Sequence, residues 1–117
     1  MPTIHDLIEE VKSNPQIDRA GMILCHNGIV RGFSRDGKEV SKLRIKADRE
    51  RLKEILSEAR KKPGIVDVKA HVNEGELSVG DDVMLVVIAG DVRDNTFPAL
   101  QEVVNEIKRS VLEKEEF

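Results

Sequence analysis

Tryptophan and tyrosine are absent from this chain, and phenylalanine occurs only three times. Beside a surface rich in lysine and glutamate, that scarcity fits a heat-adapted organism. Cysteine is nearly absent as well. Cys25 is the one thiol, which excludes an internal disulfide and fits a reducing compartment. No apolar run approaches the roughly 18 residues a membrane-spanning helix needs. The opening Met1-Pro2-Thr3-Ile4-His5-Asp6-Leu7 has no basic region and no long apolar stretch, so it does not read as a signal peptide. An excess of positive charge is also missing. The net charge of −3 argues against a general nucleic-acid binder, although local basic patches can sit inside an acidic total. These absences lead us to expect a soluble cytoplasmic protein with neither membrane nor nucleic acid as partner.

What remains is a chain of 117 residues, 39% apolar and 35% charged, long enough for one domain spanning 1–117. No repeat, low-complexity tract or linker divides it. Ile4, Leu7, Ile8 and Val11 make one helical face, opened by a Thr3–Asp6 capping box and stopped by Asn14-Pro15. Residues 20–33 read as a strand, apolar on both faces at first and hence buried, with Gly28 and Gly32 marking a bulge or close backbone approach. Asp36-Gly37 signals a hairpin into a strand whose Leu43, Ile45 and Ala47 oppose Lys42, Arg44 and Lys46. Asp48 caps a helix to about Lys62 that buries Leu52, Ile55, Leu56 and Ala59.

The next strand, Ile65 to Val72, puts Val66, Val68, Ala70 and Val72 on one face. A glycine-punctuated connection over 73–82 leads to Val83–Ala89, apolar on both faces and therefore central. The last helix buries Phe97, Leu100, Val103, Val104 and Ile107. Asn95 or Thr96 caps it, Pro98 occupies its first turn, and Lys108 and Lys114 stand at its far end. The order of elements predicts an α+β fold with the helices packed on one side of an antiparallel sheet.

Several apparent sites fail on chemistry. Gly32 to Glu39 nearly matches a phosphate-binding loop, but Glu39 offers no hydroxyl and a strand follows Lys38 where a helix is required. Cys25 lies among apolar neighbours and reads as buried. His5, His26 and His71 lack metal-ligand spacing, so no metal site is expected. The surviving constellation is cationic. Arg31 and Arg93 each sit in a glycine-flanked turn at a strand end, suited to a phosphorylated or carboxylated ligand. Arg93 precedes a helix whose free N–H groups also favour an anion. Lys108 lies about 15 residues further on, roughly 20 Å along a straight helix, so one pocket holding both needs a second subunit or a break in the helix. The lysines and arginine over 42–46 offer a third reading, a basic strand against an anionic partner.

Taken together, Gly28-Ile29-Val30-Arg31 with its loop, Gly75-Glu76-Leu77-Ser78-Val79-Gly80-Asp81, and the apolar strand leading to Val92-Arg93-Asp94-Asn95-Thr96-Phe97 resemble the large, catalytic subunit of molybdopterin synthase, the MoaE-like family. The resemblance implies an α/β-hammerhead-like α+β fold, a homodimer, and a small ubiquitin-like sulfur-carrier subunit as partner. It implies transfer of two sulfurs from the carrier's thiocarboxylate to cyclic pyranopterin monophosphate, a sulfurtransferase step in molybdenum cofactor biosynthesis. It implies no cofactor. By position it assigns Arg31 and Arg93 to substrate binding, with Lys108 and Lys114 as the catalytic lysines. The chain departs from the family where a histidine normally precedes the key arginine, because Val92 stands there. The alternative implied by that departure is a non-catalytic paralogue that binds the carrier or the pterin.

Overall fold

The computed structural model describes residues 2–117. In chain order the elements are α1 (Ile4–Lys12), β1 (Met22–Ile29), β2 (Lys42–Ala47), α2 (Arg49–Arg60), β3 (Ile65–Val72), β4 (Gly75–Ser78), β5 (Asp82–Gly90), α3 (Arg93–Ser110) and β6 (Leu112–Glu116). The fold is α+β and its strand pairs are antiparallel. They form two three-stranded sheets, ordered β1-β5-β3 and β4-β2-β6.

The unbroken apolar run in β5 makes it the centre of the first sheet. Val83 to Gly90 are all buried, so both faces of this strand need cover. Met84, Val86 and Ile88 face the core shared with α2 and α3. Leu85, Val87 and Ala89 face α1 through Leu7 and Val11. Helices therefore cover both faces of this sheet, not one. The apolar stripe of α1 has no other surface to bury against, and each such side chain contributes about 1.5–3 kcal/mol when buried. Among the described residues no helix is long and apolar enough to cross a membrane.

Two helix starts follow the sequence closely. The Thr3–Asp6 capping box forms in both directions, at 3.1 and 2.8 Å. The Asp48 carboxylate accepts from the Arg51 N–H at 3.0 Å. Strand partners follow it less well. The Asp36-Gly37 turn, with Gly37 at φ +85°, closes only an isolated Phe33–Glu39 bridge. β1 and β2 do not pair; they belong to different sheets. β1 is an edge strand, not a buried one, and Cys25 on it is exposed. The expected bulge is present as a register shift at Gly28–Ile29. In β3 a second shift, between Ile65 and Asp67, turns Val66 onto the α1 side, away from Val68, Ala70 and Val72. The same bulge buries Asp67, whose carboxylate accepts from Asn14 Nδ2, Arg60 Nε and the Val68 N–H at 3.1, 3.1 and 2.8 Å. Part of the glycine-punctuated connection forms a strand of its own, β4.

Candidate functional site

α3 begins earlier than its sequence indicates. Arg93 is its first residue, and Val92 occupies the cap position without any side-chain hydrogen bond. Asn95 and Thr96 lie inside the helix. They anchor its first turn in other ways. Thr96 Oγ1 donates to the Val92 carbonyl at 2.7 Å, and Asn95 Nδ2 donates to Asp91 Oδ1 at 2.9 Å. Asp91 also accepts from the Val92 N–H at 2.6 Å, so a residue outside the helix organises its entry. The Asn95 side-chain bond, followed by the Val92 N–H, holds the Asp91 carboxyl below the usual carboxylate range. Pro98 is six positions into the helix, past the first turn.

Phe97, expected in the core, is 55% exposed. It belongs to a stripe at helical spacing, Arg93-Phe97-Leu100-Val104-Lys108, that runs the length of α3. Phe97, Pro98, Leu100, Gln101, Val104 and Asn105 meet His26 of β1 around an open, largely apolar cleft of about 390 Å³. Arg93 stands one turn before the cleft and Lys108 one turn after it. Both cations are exposed, and the helix rise puts them about 22 Å apart.

The single chain therefore does not gather all four predicted residues. Arg93 lies at the end of the first sheet where Met22 faces Gly90. Arg31 follows the opposite end, where Ile29 faces Asp82, about 25 Å away by strand rise. Arg31 is exposed. Its Nε donates to the Phe33 carbonyl at 2.9 Å, and its guanidinium sits 5.0 Å from the centre of the Phe33 ring. Lys114 is not on the last helix. α3 stops at Ser110, and the free edge of β2 takes up the next residues as β6, with Lys114 opposite Ile45. The signal was the alternation of Glu113 and Glu115, which meet Lys46 and Arg44 across the ladder. Two cations of the basic strand thus face carboxylates, one on β6 and one on β4. Arg44 pairs with Glu115 at 3.3 Å, and Lys42 approaches Glu76 at 4.0 Å.

Sequence reasoning missed His26 as a member of the cleft. It alternates with Leu24 and Gly28 on the α3 side of β1, a placement visible only once β1 is packed against α3. Burial first, and the nearby Lys108 charge second, lower its pKa and favour the neutral imidazole. Burial pushes the Cys25 thiol upward, which makes it a poor nucleophile despite its exposure. Among the described residues no three His, Cys, Asp or Glu side chains cluster as metal ligands do.

A family model described as MoaE protein matches residues 3–110. An uncharacterised protein of Methanocaldococcus jannaschii is 32% identical over 93 residues, covering 76% of this chain and 78% of that one. Among solved structures, molybdopterin synthase from Staphylococcus aureus superposes with a TM-score of 0.74 at 23% identity, over 86% of this chain and 76% of that one. Molybdopterin cofactor biosynthesis protein E from Burkholderia multivorans gives 0.69 at 26% identity, over 88% and 69%. The complex of subunits 1 and 2 of molybdopterin-converting factor from Helicobacter pylori gives 0.73 at 18% identity, over 98% and 78%.

Proposed function

Because the chain belongs to the MoaE protein family, we propose that it acts in molybdenum cofactor biosynthesis as the large subunit of a molybdopterin synthase. In this reading it moves sulfur from the thiocarboxylate tail of a small ubiquitin-like carrier onto cyclic pyranopterin monophosphate. The observation that carries the reading is the α3 stripe, an apolar cleft with Lys108 beyond one end and Arg93 beyond the other. An extended Gly-Gly tail fits an open apolar groove that ends on a cation. Lys108 neutralises the thiocarboxylate as its sulfur approaches the pterin. Arg93 and Arg31 offer forked donors for the substrate phosphate.

Arg93 lies about 22 Å from Lys108 and about 25 Å from Arg31, too far for one small ligand to reach from it to either, and a second copy of the chain supplies the missing side. The edge strand β1 supports that arrangement. Met22 to Ile29 contains no Lys, Arg, Asp, Glu or Pro, the residues that usually protect a free edge from pairing. The assay is direct. The protein is incubated with thiocarboxylated carrier and the pterin precursor, and dithiolene product is measured. Wild type is expected to form it, and Lys108→Ala to lose it while keeping its melting temperature. Absence of product from wild type, where a working synthase makes it, rejects the catalytic reading.

A second reading is favoured by one specific observation. Val92 is 53% exposed and offers no polar group beside Arg93. In that reading the chain binds the carrier or the pterin without turning over. Carrier binding in the absence of product would support it.

A further inference from the structure

The imidazole of His26 is placed where a merely structural residue would be expected to be satisfied or apolar. A Cβ built on Gly28 would lie 3.3 Å from His26 Nε2 and 3.2 Å from Met84 Cγ, so the bare glycine leaves the slot that the ring fills. Within that slot Nε2 is buried and has no hydrogen-bond partner. A buried polar atom left unpaired destabilises the fold, and phenylalanine of similar shape would avoid that cost. The ring also lines the cleft, on the side where Lys108 continues the α3 stripe.

The groups around it are few. From α3 the one charge that reaches the ring is Lys108, while the lining residues Gln101 and Asn105 are neutral. From β5 the ring's cross-strand partner is Val86, flanked on that face by Met84 and Ile88, which carry no charge. Asn27 points to the other face and donates to Asp82 at 2.9 Å.

We propose that His26 is a second, proton-linked holder of the anionic ligand end at Lys108, its imidazole taking up one proton from solvent as the anion seats. The inference rests on the tail-binding reading above and adds a residue to it. With the cleft empty, burial and the Lys108 ammonium both disfavour the imidazolium. A carboxylate beside Lys108 cancels that repulsion and adds an attraction of opposite sign. The ring then binds a proton more tightly with ligand than without it. By linkage the ligand binds more tightly at low pH, by up to about tenfold per pH unit between the free and bound pKa values.

The test uses the full chain and two labelled peptides ending in Gly-Gly, one with a free carboxylate and one amidated. Binding is followed by anisotropy from pH 5.5 to 8, and the His26 ring is titrated by NMR. The carboxylate peptide is expected to lose about tenfold in affinity across that range, with His26→Gln and His26→Phe giving flat profiles. Lys108→Ala should raise the His26 pKa in the free protein, a readout that does not depend on the ring substitutions folding. An unchanged pH slope in both His26 variants overturns the inference while leaving the tail reading intact. So does equal binding of the two peptides. Failure of both peptides to bind at any pH overturns both readings.

Discussion

Gly64→Ala is expected to be unusually costly for a surface glycine, and Gly37→Ala supplies its control. Both residues have positive φ, +79° and +85°. An alanine in that region costs about 1 kcal/mol or slightly more. Around Gly37 a new Cβ meets nothing within 4 Å, so backbone strain is the whole penalty. Around Gly64 the new Cβ would collide with Asp91 Oδ1 and Asn95 Nδ2, the two atoms whose hydrogen bond organises the start of α3. Forced overpacking adds about 1–3 kcal/mol. Gly37→Ala should therefore cost about 1 kcal/mol and Gly64→Ala about 2–4 kcal/mol. Urea unfolding followed by far-UV circular dichroism, at one fixed protein concentration, reads both. The slopes should match wild type while the midpoints separate. Equal destabilisation of the two variants would refute the claim that the Asp91–Asn95 pair occupies the space over Gly64.

Three further outcomes are expected. Asp67→Ala strands the part-buried Arg60 and two other donors and should cost about 2–3 kcal/mol, discounted for Arg60's solvent contact; a loss under 1 kcal/mol in urea unfolding would contradict this. Val92→His introduces a polar side chain at an exposed position beside Arg93, so it should leave the melting temperature within about 2 °C and raise dithiolene formation severalfold; lower turnover at unchanged stability counts against Arg93 as part of the site. The Asp91 carboxyl is shifted down, so its contribution is complete above its unfolded value near 4 and is lost as pH falls through the folded value. Asp91→Asn should accordingly flatten the fall in stability below about pH 4, and an undiminished acid slope removes Asp91 from that account.

What was legible in the chain depended on range. α1 and α2 declare themselves through apolar stripes and side-chain caps a few residues apart, and both form as read. β5 declares itself by being apolar on both faces. The partners of β1 and β2 could not be read, because the hairpin signal at Asp36-Gly37 is local and the pairing is not. Val66 could not be placed because a one-residue shift reverses a face without changing composition. The start of α3 was misjudged because Asp91, outside the helix, does the work of a cap. Phe97 looks like core by spacing, yet it borders a cleft that exists only between α3 and β1. Arg31, Arg93 and Lys108 were visible as individual cations near turns or a helix end. Their distribution over two ends of one sheet, and the presence of His26 between them, needed the packing.

The central position of β5 has a consequence for how the molecule is made. β1 and β3 never touch as a pair; each is completed only by a strand that leaves the ribosome after both. Until β5 arrives, neither can satisfy its backbone or bury its inner face, and the uncharged β1 waits the longest. Folding is thus dominated by closures of long chain segments, the slow class for small domains. Pulse-labelled hydrogen exchange during refolding should protect α1 and α2 first and the three strands of this sheet together, and protection of β1 ahead of β5 would overturn that order. The edge best suited to recruit a second copy is also the one left open longest in the nascent chain. In the dimer proposed above, assembly and misassembly would compete for the same eight residues.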